Sequence, residues 1–179
     1  MDNEVLKNIR ERRSIRKYRS DAVDEKLLDL VLEAGTWAPS AMDRQPSTIV
    51  CVTDKEDRDR LSRMNAEIMG TDSDPYYGAP VIILVLGERS VSTYIQDGSL
   101  VLENMMLAAH SLGLGSCWIN REAEMFDSRE GKELLEKWNL PTTLKGVGAL
   151  ALGYVDGDVP KARERKKNYI VKIREEFSR

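Results

Sequence analysis

The residues with the densest chemistry lie near the two ends of the chain. Arg12-Arg13-Ser14-Ile15-Arg16-Lys17-Tyr18 sets three arginines and a hydroxyl within five residues. A guanidinium fork binds phosphate oxygens bidentately, and a serine adds a further bond. Each charge-assisted bond contributes about 1.5–3 kcal/mol. Toward the other end, Lys161-Ala162-Arg163 precedes Glu164-Arg165-Lys166-Lys167. Alternate residues of an extended segment face the same side, so Lys161 and Arg163 can grip one anion together. Taken alone, each cluster reads more plainly as a solvated charged surface.

Two further stretches suit a flat ligand. Pro39-Ser40-Ala41, with Gln45-Pro46, is a rigid loop of small residues. Such a loop can pack on a ring and offer its amides and Gln45 to the ring edges; the plainer reading is a connection. In Gly113-Leu114-Gly115-Ser116-Cys117-Trp118-Ile119 the glycines allow backbone to approach a ligand closely. The plainer reading there is a helix end entering a strand. The usual catalytic sets are missing. The lone histidine, His110, sits in an apolar helix and reads as packed core, and with only Cys51 and Cys117 it builds no zinc site. No GxSxG, HExxH or P-loop pattern occurs. The acid pairs Asp57/Asp59 and Glu122/Glu124 read as solvated faces. No side chain is expected to be catalytic, which leaves the hard chemistry to a cofactor.

Charge sharpens this picture. The net charge of -3 argues against a general nucleic-acid binder. Residues 1–20 hold seven Lys/Arg and three Asp/Glu, residues 160–179 hold eight and three, and residues 21–159 hold twelve and twenty-four. Two basic ends on an acidic body form an anion site if the fold joins them. With 179 residues, 41% of them hydrophobic, the chain has the size of one domain, 1–179. No apolar run approaches the roughly 18–20 residues of a membrane span. The N-terminus has no apolar signal core, and the cysteines form no disulfide framework, so a cytoplasmic setting is expected.

The elements that must position these residues follow from periodicity. Helices are expected over 3–12, from Asp24 to near Gly35, over 54–69, 93–114 and 128–138. Strands are expected over 48–53, 79–86, 116–119 and 147–155, with loops at 38–46 and 71–78. Helix 93–114 is apolar nearly all round, which predicts burial on most sides, inside the domain or against a second subunit. In the tail, Tyr169, Ile170, Val171 and Ile173 are able to pack. No βαβ rhythm with a GxGxxG turn appears, so one α+β domain is the reading.

RRSIRKY at 12–18, APSAMDRQP at 38–46, APVIILV at 79–85, YIQDGSLVLENMMLAAHSLGLGSCWI at 94–119 and LGY with PKAR at 152–163 together resemble the nitroreductase family of FMN-dependent NAD(P)H oxidoreductases. The likeness runs through nearly the whole chain in the family's order. It implies an α+β nitroreductase-like fold, a central, mainly antiparallel sheet flanked by helices, in an intertwined homodimer with FMN at the interface. By position, Arg12 and Ser14 match residues that hold the phosphate and ribityl chain, with Arg13 between them. Arg16 matches a basic residue near N1 and O2 of the ring, and Lys161 and Arg163 match a second phosphate grip. Pro39, Ser40 and Ala41, with Gln45, match the loop that the other subunit lays against the ring. Ile119, Asn120 and Arg121 match the turn whose backbone approaches N5 and O4. Asp43 stands where the family often has Asn, Ser47 where it often has Trp, and Asn120 and Arg121 where it often has small residues. The segments at 64–78 and 121–145 are short for the family, so no large lid and an open site are expected.

The activity implied is ping-pong hydride transfer through flavin N5, from NADH or NADPH to a nitroaromatic, a quinone or a similar small acceptor. Neither nucleic acid nor membrane is an expected partner. Competing readings are a specialised flavin reductase of the same fold, a flavin-binding regulatory or storage protein without turnover, and a nucleic-acid module using the basic ends.

Overall fold

The computed structural model describes residues 3–173. Its elements are α1 (Glu4–Glu11), α2 (Glu25–Thr36), β1 (Ser47–Val52), α3 (Lys55–Met69), β2 (Val81–Glu88), α4 (Tyr94–Ser111), β3 (Gly115–Ile119), α5 (Glu122–Asp127), α6 (Arg129–Lys137) and β4 (Leu144–Gly153). Side-chain caps at Asn3, Asp24, Asp54 and Ser128 begin α1, α2, α3 and α6, each satisfying an amide that the helix leaves unpaired.

The four strands form one antiparallel sheet in the order β1-β2-β4-β3. Side chains alternate across it. Ile82, Leu84, Leu86, Cys117, Ile119, Ala149 and Ala151 join a core with α3, α5 and α6. Val81, Ile83, Val85, Leu150 and Leu152 join another with α2 and α4. The sheet is thus covered on both faces, which is why β2 is an unbroken apolar run rather than an alternating one.

At three places the structure refines what the sequence suggests. First, within one chain α4 is buried on the side that meets α2 and the sheet, not on most sides. Val101, Leu102, Met105, Met106 and Ala109 are buried, but Ile95 and Leu100 are 50% and 44% exposed. The helix lies in an outer layer, touched by α1 near its end, and Ile95 and Leu100 are not covered by any of the described residues. Val5, Leu6 and Ile9 of α1 are exposed too, as are Tyr169, Ile170, Val171 and Ile173 of the tail. Second, β4 starts at Leu144 rather than Val147, because Lys145 and Gly146 pair with Gly87 and Leu86 past an irregularity at Val85/Leu86. Third, a short helix, α5, follows Arg121 directly. Its first turn lies so close to β4 that a Cβ on Gly146 would meet the Glu122 carbonyl oxygen at 2.0 Å. Only glycine permits that approach.

Candidate functional site

The N-terminal basic strip is laid along β3. The amide of Ile15 donates to the Ser116 carbonyl at 2.9 Å, and Ser14 makes a parallel bridge with Ser116. The Tyr18 hydroxyl shares its one proton between the carbonyls of Ile15 (2.7 Å) and Ala151 (3.1 Å). Burial pushes the Tyr18 hydroxyl's pKa far up, so it stays a neutral donor. On this strip Arg13 is committed elsewhere: its Nη1 donates to the carbonyls of Arg10 and Arg12, both at 2.6 Å, closing the end of α1. Arg12 is different. Its Nη1 is buried and has no hydrogen-bond partner among the described residues. Leaving such a donor unmade costs about 1–3 kcal/mol, more for a charged group, unless something occupies it.

Arg16 is exposed, with its guanidinium carbon 5.9 Å from the centre of the Tyr77 ring. A hydrogen bond with Tyr77 raises its pKa, helped by the nearby Cys117 thiol. Tyr77, Trp118, Asn120 and Arg121 line a cavity of about 230 Å³. The strip and the 119–121 turn are therefore brought to one side of the molecule, with Arg16 and Tyr77 between them.

That turn is held from below. Asn65 of α3 is fully buried. Its Nδ2 donates to the Asn120 carbonyl at 2.8 Å, and its Oδ1 accepts from Arg121 Nε at 2.8 Å. Arg121 has φ 88°, the left-handed region, and caps α5 by its position alone. Its Nη2 reaches Met69 Sδ at 3.0 Å, so the side chain runs back to α3. Beneath it, Glu122 is buried rather than solvated. Its Oε1 accepts from the Tyr76 hydroxyl at 2.9 Å and lies 3.4 Å from Asn65 Nδ2, while Oε2 has no partner among the described residues. Burial pushes this carboxyl up to about 7, against the pull of Tyr76 and Arg121. Asp57 is also buried, where it accepts from Lys137 Nζ (2.5 Å) and Trp138 Nε1 (2.9 Å) and ties α3 to the end of α6. The sequence gives no sign that these two acids face inward while Asp59 and Glu124 face water.

The 38–46 loop forms a second centre. Pro39, Ser40, Gln45, Ser47, Asp97 and Val101 line much of a cavity of about 350 Å³. Asp97 of α4 is buried, and its Oδ1 accepts the Ala41 amide at 3.1 Å while Oδ2 accepts from Thr93 Oγ1 at 2.9 Å. Ser40 Oγ accepts the Gln45 amide at 2.9 Å, and Gln45 Nε2 donates to Asp43 Oδ1 at 2.9 Å. Met42, Asp43 and Gln45 all have positive φ, near 50°. Asn and Asp are the side chains that best tolerate that region, which accounts for Asp43. Gln45 is therefore a strut of the loop as well as part of the cavity wall.

These two centres lie at diagonal corners of the sheet. Ser116 beside the strip is level with Leu152 and, through it, Val81 of β2. Ser47 at the end of the loop is level with Gly87 of β2. From residue 81 to residue 87 is about 20 Å along a strand, and from β3 to β1 is about 14 Å across the sheet. One chain does not bring its strip and its loop to the same small ligand. Lys161 and Arg163 are exposed on a segment without regular structure, which follows Val155 and Asp156, the residues tied to the strip by the Tyr18–Val155 bridge and the Lys17–Asp156 ion pair of 2.7 Å. His110 is half-buried at the end of α4, where burial lowers its pKa, with the charges of Arg12 and Arg13 adding to the effect and Glu11 opposing it.

Among the described residues no group of His, Cys, Asp and Glu is arranged to hold a metal, and no helix is long and apolar enough to cross a membrane. Comparison with known proteins points one way. A relative in Methanothermobacter thermautotrophicus, whose name joins NADH dehydrogenase with NAD(P)H nitroreductase, is 33% identical over 84% of this chain and 77% of its own. An FMN reductase [NAD(P)H] of Bacillus subtilis is 28% identical over 92% of this chain and 69% of its own. A crystal structure of a nitroreductase with bound FMN from Bacteroides fragilis superposes with a TM-score of 0.89 at 31% identity, over 97% of this chain and 100% of that one. The profile of the Nitroreductase family matches residues 9–154, and the chain belongs to that family.

Proposed function

We propose that this protein is an NAD(P)H-dependent FMN oxidoreductase that works as a homodimer and reduces a small acceptor such as a nitroaromatic or a quinone, with the whole chain as one FMN-binding domain. The observation that carries the reading is the buried, unpartnered Arg12 Nη1 on the strip beside β3. A phosphate monoester supplies the acceptor that this donor lacks. FMN, when bound, supplies hydride acceptance and delivery, so the protein needs no acid or base of its own.

The chain's own residues then bind and orient. Arg12 and Ser14 hold the phosphate end, joined by Lys161 and Arg163 from the tail. Arg16 places positive charge where the ring gains negative charge on reduction. Backbone of Ile119, Asn120 and Arg121 meets the ring edge. Pro39, Ser40, Ala41 and Gln45 come from the partner subunit of the homodimer. The diagonal separation of strip and loop supports that division, since two copies are needed to put both against one ring. The exposed apolar residues of α1, α4 and the tail are the surface for such an interface. Cys51 and Cys117 are both free, in keeping with a cytoplasmic setting.

The test is a visible spectrum of the purified protein, before and after anaerobic NADH or NADPH. A flavin band that bleaches with one donor is the expected result. A flavin that resists both donors makes the protein a flavin binder without turnover, and a colourless protein that takes up no added FMN overturns the reading.

A further inference from the structure

Beneath the 119–121 turn lies a polar cluster that no step of FMN binding or hydride transfer uses. Asn65, Tyr76 and Glu122 are each at most 1% exposed. Asn65 Nδ2 serves both sides of the cluster. It donates to the Asn120 carbonyl at 2.8 Å and lies 3.4 Å from Glu122 Oε1. Glu122 thus sits one shared amide away from the backbone assigned to the ring edge. Its Oε2, buried and without a partner, is the place where a proton can be added without displacing an existing bond.

We propose that Glu122, held by Tyr76 and Asn65, is a positioning residue that binds a proton when the flavin is reduced and releases it on reoxidation. This rests on the FMN reading above. The two electrons come from the nicotinamide donor, and the proton passes between bulk water and Glu122 Oε2. The physical cause is mutual repulsion. Negative charge gained by the ring on reduction disfavours the ionised carboxylate nearby in a low-dielectric interior. By linkage, the ionised carboxylate disfavours reduction by the same amount.

The surroundings set where this happens. Burial already pushes Glu122 up to about 7, so its two forms coexist near neutral pH. The facing groups are few. The 71–79 segment presents the Tyr76 hydroxyl, backed by Asp74, whose carboxylate accepts the Tyr76 amide at 2.8 Å. The residue before it is Arg121, which favours the ionised form, and α5 presents Glu124, which opposes it. From α3 comes uncharged Asn65, and β4 presents Gly146, which has no side chain. Tyr76 stays neutral because burial and Glu122 itself raise its pKa. Glu122 is the group of this cluster that titrates near neutrality.

The experiment is the midpoint potential of the FMN-loaded full-length protein against pH, by dye equilibration from pH 5.5 to 8.5, with redox-difference infrared spectra alongside. Wild type is expected to show a potential that falls more steeply from about pH 7 upward, and a protonated-carboxyl band that grows on reduction. In Glu122→Gln the steep region and the band are lost. In Tyr76→Phe, which removes the bond to Oε1, the steep region moves to higher pH. A wild-type plot with no break, or a Glu122→Gln plot parallel to wild type at every pH, overturns the proposal while leaving FMN function intact. A protein that takes up no FMN fails at an earlier step and overturns the function reading instead. If Glu122→Gln does not fold, the wild-type break and the Tyr76→Phe shift still decide.

Discussion

Two buried carboxylates anchor the two loops of this site, and they are built in opposite ways. Asp97 holds the 38–46 loop with both oxygens occupied, one by the Ala41 amide and one by the Thr93 hydroxyl. It also lies in the first turn of α4, where the helix dipole favours an anion. Glu122 underlies the 119–121 turn with one oxygen occupied and one bare. The hydrogen bonds that stabilise a charge are complete in one case and half-made in the other. Asp97 is therefore a pin with both oxygens bonded. Glu122 is a pin with one oxygen bonded, and burial lets it change its charge near neutral pH.

The most severe way to break the comparison is to remove the fully bonded pin. Asp97→Ala leaves the Ala41 amide and the Thr93 hydroxyl without their acceptor. The expected loss is about 2–4 kcal/mol in urea unfolding, from two lost bonds and a donor stranded in a part-buried site. The 38–46 loop, with exposed Trp37, Met42 and Arg44 on or beside it, should become a site of tryptic cleavage at Arg44. Asp97→Asn keeps Oδ1 and should lose less than half as much. A loop that stays protected in Asp97→Ala would show that its own Ser40, Asp43 and Gln45 bonds suffice.

The next effect separates the pins by pH. Glu122 has an ordinary value of 4.5 and is pushed up to about 7 in the fold. The folded chain therefore binds more protons than the unfolded one between those values. Stability from this group is fully present below pH 4.5, falls as pH rises, and is lost above about pH 7. The whole change amounts to about 3 kcal/mol. Urea unfolding of wild type and Glu122→Gln at pH 5 and pH 8 checks it: part of the change is already spent at pH 5, so the difference between the two proteins should shift by about 2.5 kcal/mol in favour of the variant at the higher pH. An unchanged difference would mean that Glu122 ionises as readily in the fold as outside it.

The sequence shows these loops to very different depths. The basic strip, the Pro-Ser-Ala loop and the glycines before β3 are legible because their residue types are unusual and local. The strands and most helices are legible because their apolar periods match what a two-faced sheet and its covering helices bury. The hubs are not legible. Asp97 reads as an ordinary helical acid, and Glu122 differs from Glu124 only in which side of a six-residue helix it occupies. Which side faces in is fixed by Asn65 on α3 and Gly146 on β4, both far away in sequence. The same is true of α4: its composition shows an apolar helix, but the sheet decides which face is covered. Tyr76-Tyr77 ahead of Gly78-Ala79-Pro80 was the one local signal of the cluster, a pair of aromatics at a strand entrance with hydroxyls to place.

The smallest expected effect concerns the backbone of the 119–121 turn above Glu122. Arg121 has φ 88°, which costs a residue with a Cβ about 1–2 kcal/mol. It is kept there by its bond to Asn65 Oδ1 at 2.8 Å. Arg121→Ala loses the bond and keeps the strained φ. Arg121→Gly loses the same bond but relieves the strain, at some cost in the freedom of the unfolded chain. Both variants should be less stable than wild type, and Gly should exceed Ala by about 1 kcal/mol, the reverse of their order inside a helix. If Ala equals or exceeds Gly in urea unfolding, the turn relaxes out of the left-handed region once the side chain is gone. In that case Asn65 and Arg121 impose the turn, and the backbone at 119–121 has no preference of its own for the shape it presents.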